Sequence, residues 1–170
     1  MSPYPFIEVS LPCSDCAAQE RFWTEIFDGT VIFRGNLMGE PFTRLMACGI
    51  SLVFREAPDF QPPPGPGQES LFRHHLGLRV DDLETAIADL EAKGAHFVVT
   101  PAHAREFQKM KQDDGRRFLE TTYVAPPLTR ERIDAGEFKH DVAILVGPDN
   151  LWIELNQIKE PPDTRWYPGS

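Results

Sequence analysis

The chain has 170 residues, a net charge of −9 and a pI near 5.0, with 41% hydrophobic and 25% charged residues. This is the composition of a globular protein with room for one ordinary core or two small modules sharing one. The acidic balance and the lack of any Lys/Arg run argue against nucleic acid or an anionic membrane as partner. No apolar stretch reaches the roughly 20 residues of a transmembrane helix. The first residues, Met-Ser-Pro-Tyr-Pro, lack the charged start and apolar middle of a secretory leader, and three cysteines fit a reducing cytoplasm.

Phe6 to Asp15 reads as a strand running into a capped helix. Ile7, Val9 and Leu11 fall on one face, and Glu8 and Ser10 on the other. Ser14 or Asp15 caps the helix, whose apolar stripe is Ala18, Phe22 and Ile26, and Gly29 closes it. Cys13 and Cys16 form a Cys-x-x-Cys at the junction. With no second pair to complete a zinc site, they read as small buried hydrophobes. Strands follow at Thr30–Arg34, Phe42–Ala47 and Gly49–Arg55, with a turn expected at Gly35-Asn36. The first module, 1–56, is therefore β-α-β-β-β.

Residues 57–73 are rich in proline and glycine and read as a stiff linker. The strand–helix pattern then returns. His75 to Val80 alternates, Asp81 or Asp82 caps a helix, and Leu83, Ala86, Ile87 and Leu90 form its stripe up to Gly94. Superposing the two copies sets Glu8 on His75 and Leu11 on Leu78, an offset of about 67 residues that marks a duplication. The second module, 74–158, continues with strands at Ala95–Val99, Asp141–Val146 and Leu151–Asn156. It is interrupted by a charged insertion at about 102–138, and residues 159–170 form a tail.

Helices on one face of each sheet leave the other face for chemistry. Strand parity assigns to it Glu8, Ser10, Val53, Arg55, His75, Arg79, Trp152, Glu154 and Asn156. If the two open faces meet, Glu8, His75 and Glu154 converge, a set suited to a divalent ion such as Mn, Fe, Co, Ni or Zn. Taken singly, Glu8 is equally a salt-bridged strand residue and His75 a satisfied core histidine. Arg55 and Arg79 either hold an anionic substrate group or pair with Glu8 or Glu154, and the second arrangement would remove the metal. His140, at the start of a strand, is a weaker candidate for the same cavity. There is no Gly-x-Ser-x-Gly, no P-loop and no Gly-x-Gly-x-x-Gly.

These residues resemble the vicinal oxygen chelate superfamily, which includes glyoxalase I, extradiol dioxygenases, and bleomycin- and fosfomycin-resistance proteins. The resemblance lies in His75-x-Gly-x-Arg-Val-Asp-Asp-Leu, in Lys93-Gly94-Ala95, and in Gly147-Pro148-Asp149-Asn150-Leu151-Trp152-Ile153-Glu154-Leu155. The last run is similar to the family's Asp-Pro-Asp-Gly-x-x-Ile-Glu-Leu. The resemblance implies an α+β fold of paired βαβββ modules forming a cupped, barrel-like mixed sheet with helices outside. It implies metal ligands at Glu8, His75 and Glu154, with Glu8 and Glu154 as the catalytic carboxylates. Mg joins the candidate ions because the set is rich in hard oxygens. The family's fourth ligand position falls on Ser51 or Val53, neither of which can serve. Arg55, Arg79, Trp152 and Asn156 are the implied substrate-binding residues.

The implied activity is a metal-dependent lyase or isomerase acting on a small oxygenated molecule through chelation of vicinal oxygens. One alternative is an Fe(II) extradiol-type dioxygenase. Another is a metal-free drug-binding protein in which Trp152, Phe33 and Phe42 hold a flat, cationic ligand. A homodimer is expected, with modules paired within one chain or exchanged across the dimer.

Overall fold

The computed structural model describes residues 7–65, 74–106 and 129–163. The first module runs β1 (Glu8–Cys13), α1 (Cys16–Phe27), β2 (Thr30–Leu37), β3 (Glu40–Ala47) and β4 (Ile50–Glu56). The second runs β5 (His75–Arg79), α2 (Leu83–Ala92), β6 (Phe97–Val99), β7 (Lys139–Val146) and β8 (Trp152–Lys159). A short helix, Arg130–Asp134, precedes β7. Part of the expected linker, most of the expected insertion and the end of the tail lie outside the described residues.

The sheets have matching orders, β1-β4-β3-β2 and β5-β8-β7-β6. In each, the first strand of the module pairs in parallel with the last, and the other pairs are antiparallel. The paired βαβββ modules are as the sequence implies, but the two sheets stay separate and do not close into a barrel.

Local chemistry sets the boundaries. Asp15 caps α1, accepting from the Ala17 and Ala18 amides at 2.7 and 3.1 Å. Asp82 caps α2, accepting from the Thr85 amide at 2.7 Å. The expected turn at Gly35-Asn36 is a correction. Both residues lie within β2, and the chain reverses at Met38-Gly39, where both φ angles are positive. The Cys48-Gly49 reversal between β3 and β4 is of the same kind. Two-residue reversals with φ > 0 at both positions match the twist of antiparallel strands, which favours placing a glycine second.

Both helix-covered faces feed one core. Trp23, Leu45, Leu52 and Phe54 of the first module join Leu83, Leu145, Ile153 and Leu155 of the second in a single buried cluster. The buried stripe of α1 is Cys16, Gln19, Trp23 and Ile26, one position round from the expected Ala18 and Phe22. Phe22 instead packs against the turn before β8, where a Cβ on Gly147 would lie 3.0 Å from its ring. The same turn is fastened by charge. The Asp149 carboxylate accepts from the Ser14 amide at 3.0 Å, from the Ser14 hydroxyl, and from Gln19 Nε2 at 3.2 Å. The modules thus meet through their helix sides, leaving both open sheet faces directed away from the shared core.

Candidate functional site

On the second sheet, His75 lies beside Trp152 in the parallel β5–β8 register, and Gly77 lies beside Glu154. With no side chain opposite, Glu154 reaches diagonally along the strand, and its Oε2 is 2.9 Å from His75 Nε2. An imidazole and a carboxylate thus share one point on an open face. Asn156 follows two residues on and its Oδ1 meets His140 Nε2 at 2.5 Å. His140, the weaker candidate in the sequence, therefore joins the same polar row. Trp152 is on this face and only 5% exposed. Arg79 pairs with Glu160 at 3.8 Å rather than with Glu154.

Glu8 is placed differently. It lies on the first sheet, and its carboxylate is ion-paired with Arg44 on β3. Arg44 in turn lies 5.3 Å from the centroid of the Phe33 ring. Arg55, the arginine expected near the site, pairs with Glu40 at 3.1 Å. Among the described residues, no three His, Cys, Asp or Glu side chains come together in a way that could hold a metal ion. Of the three expected ligands, the described residues bring together His75 and Glu154 but not Glu8. Phe33 and Phe42 meet edge-on at 5.7 Å on the first sheet, whereas Trp152 belongs to the second.

Arg44 is the residue that sequence reasoning missed. The alternation Phe42-x-Arg44-x-Met46 was the available signal, since it sets a cation on the open face one strand from Val53. Cys13 and Cys16 approach at 3.6 Å between sulfurs, both buried. Burial, and for Cys13 also the neighbouring Cys16, pushes the Cys13 thiol far above its ordinary range, and burial raises that of Cys16 too. Such thiols are poor nucleophiles and poor ligands, as expected for packing residues.

Two four-stranded sheets built from repeated βαβββ units, each with one polar open face, define the glyoxalase-like architecture. The Glyoxalase-like domain family model matches residues 8–119, and the chain belongs to that family. No curated protein matches the chain significantly. Among solved structures, it is similar to a glyoxylase/bleomycin resistance protein/dioxygenase domain from Frankia sp. EAN1pec, at 21% identity and a TM-score of 0.54 over 91% of this chain and 98% of that one. A glyoxalase family protein from Enterococcus faecalis is 18% identical, with a TM-score of 0.57 over 92% and 99%. The fosfomycin resistance protein FosX from Listeria monocytogenes, in a form complexed with Mn(II) and sulfate, is 12% identical, with a TM-score of 0.51 over 92% and 93%. At these identities the likeness is one of fold. No described helix is long and apolar enough to cross a membrane.

Proposed function

We propose that the protein is a metal-dependent enzyme of lyase or isomerase type acting on a small oxygenated substrate, with His75 and Glu154 as the ligand pair each chain supplies. The observation that carries this reading is the 2.9 Å approach of His75 Nε2 to Glu154 Oε2 on an open sheet face. A mixed nitrogen and oxygen set suits Mn, Fe, Co, Ni or Zn, with Mg the hardest candidate. The Mn(II) in the FosX crystals supports testing manganese first. When bound, such an ion stabilises negative charge developing on neighbouring substrate oxygens.

The chain's own residues supply the rest. Asn156 and its His140 partner present hydrogen-bonding groups beside Glu154, and the buried Trp152 indole lies next to His75 in the register. In this reading the third ligand, Glu8, comes from a second copy of the chain. The modules of one chain meet through their helix sides, so a homodimer is the arrangement that sets one copy's first sheet against the partner's second. Glu8 must then exchange Arg44 for the metal. Arg55 and Arg79 are held by Glu40 and Glu160 and act on substrate only after leaving them.

One observation favours a second reading, a metal-free binding protein. The Glu8–Arg44 ion pair already neutralises the carboxylate that a three-ligand site needs. The metal content of protein purified without chelator, beside a Glu154→Ala variant, separates the two. About one ion per chain in the wild type and loss in the variant support the enzyme. Iron as that ion turns the reading to a dioxygenase. A wild type that cannot be loaded supports the binding protein.

A further inference from the structure

The two sheets end differently at their outer edges. In the orders β1-β4-β3-β2 and β5-β8-β7-β6, β2 and β6 are equivalent edge strands, and no described strand pairs with either on its outer side. β6 is only three residues long, Phe97–Val99, and Pro101 follows closely. A short edge strand beside a proline is a common way to keep other chains from pairing with it. β2 has no such protection. It is eight residues long, contains no proline, and every residue but Val31 is exposed. Ile32, Phe33 and Leu37 are 51%, 43% and 53% exposed, and Met38 in the reversal that follows is 98% exposed.

The register of β2 with β3 shifts between Val31 and Phe33, so Ile32 falls outside the ladder, and pairing is regular from Phe33 to Leu37. The chain then reverses at Met38-Gly39. What remains is a regular edge centred on Gly35. Contacts identify its two faces. Phe33 lies edge-on to Phe42 on the open face, and Arg34 ion-pairs with Glu20 of α1 on the helix side. Parity places Gly35 and Leu37 with Phe33, and Asn36 with Arg34. A Cβ on Gly35 would lie 2.6 Å from the Phe42 ring, so glycine here lets that ring lie across β2. The apolar strip of Phe33, Phe42 and Leu37 therefore reaches the edge of the sheet.

We propose that β2 is an assembly edge, where two copies of the chain pair antiparallel about a two-fold axis through Gly35 and join their first sheets into one. This register sets Phe33 of one copy opposite Leu37 of the other, and Arg34 opposite Asn36. The open-face pair is apolar, no like charges lie directly opposite, and the charge of Arg34 is already met by Glu20. One position further out, Ile32 of one copy meets Met38 of the other. Each exposed apolar residue of the edge thus finds an apolar partner. Centring the pair on Arg34 instead would set two arginines opposite each other and Phe33 against glycine, and a slip by one residue would mismatch the faces. The pairing uses the edge of the sheet and leaves its open face free. It rests neither on a metal at His75 and Glu154 nor on the homodimer of the reading above.

The test uses the full chain carrying Cys48→Ser, which removes the exposed thiol. Sedimentation equilibrium compares it with the same chain carrying Leu37→Lys. The added charge at an exposed position is expected to leave the thermal midpoint unchanged and to halve the mass of the assembly. Register is read by cross-linking. Phe33→Cys combined with Leu37→Cys, treated with oxidised glutathione, is expected to give a covalent dimer on a denaturing gel. Within one chain the two positions stand about 13 Å apart along the strand, beyond the reach of a disulfide, so the bond reports the second copy. Phe33→Cys alone faces Leu37 of the other copy and is expected to stay uncross-linked. The cross-link also tells this edge from the dimer that would bring Glu8 to the partner's second sheet. An assembly mass unchanged by Leu37→Lys would overturn the proposal. So would a double variant that does not cross-link, or one that cross-links no better than Phe33→Cys alone.

Discussion

The two modules are the same where they face the core and different where they do not. Leu11 and Leu78 are equivalent, as are Phe54 and Leu155, and all four pack into one cluster. On the open faces the equivalences break. The diagonal that joins His75 to Glu154 in the second module joins Glu8 to Val53 in the first. With Val53 at that diagonal, Glu8 turns to β3, where Arg44 stands at the position that Ile144 holds in the second module. One module thus builds an imidazole–carboxylate pair between its first and last strands. The other builds an ion pair reaching to its third strand. A duplicated scaffold is held in common by its packing face, while the open faces of the two modules have diverged.

The strongest way to break this comparison is through the shared core. Trp23 is fully buried between α1 and the first sheet, against Phe27 and Phe54. Trp23→Ala should cost about 3–5 kcal/mol. Because both modules contribute to one cluster, urea unfolding followed by far-UV circular dichroism and by fluorescence of the remaining tryptophans should show a single, earlier transition. Two separate transitions would mean that the modules fold independently. The next effect is at the fastening between them. Asp149→Ala leaves the Ser14 amide and hydroxyl without their acceptor, and leaves Gln19 Nε2 only the Pro148 carbonyl at 3.5 Å. It should cost about 1–3 kcal/mol by thermal unfolding. An unchanged midpoint would show that apolar packing alone holds the modules together.

The caps allow a smaller, symmetric test. Asp15 and Asp82 do the same work at the start of α1 and α2, and Asp15→Ala should cost about 1 kcal/mol in denaturant titration. The cap of α2 is also pH-dependent. Hydrogen bonds from Thr85, the backbone amide first, hold the Asp82 carboxyl below its ordinary value. Its folded pKa is therefore lower than its unfolded one. The cap's contribution is complete above the unfolded pKa and is lost as pH falls through the folded pKa. Asp82→Asn should flatten the acid limb of a plot of melting temperature against pH, and identical acid limbs would count against the cap.

Much of this was legible in the sequence. The repeat of strand, capped helix and glycine exposes the modules, because core-facing periodicity survives duplication. The α2 stripe was read correctly. The α1 stripe was displaced because Phe22 and Trp23 are adjacent and both large, and only the docking of the Gly147 turn decides which faces the sheet. The turn after β2 was misplaced because Gly35-Asn36 is the stronger local signal, whereas cross-strand pairing with β3 carries the strand on to Leu37. Strand parity put Glu8, His75 and Glu154 on open faces. It could not say that Glu8 would meet Arg44, since a partner on a neighbouring strand depends on register across the sheet.

The most direct test of the central claim is Mn(II) uptake by metal-stripped protein, followed through the paramagnetic resonance signal of the free ion. Wild type, Glu154→Ala and Glu8→Gln would be compared. The account predicts about one ion per chain for wild type, none for Glu154→Ala, and weakened uptake for Glu8→Gln at concentrations where the dimer forms. No uptake by the wild type, or equal uptake by Glu154→Ala, would contradict it.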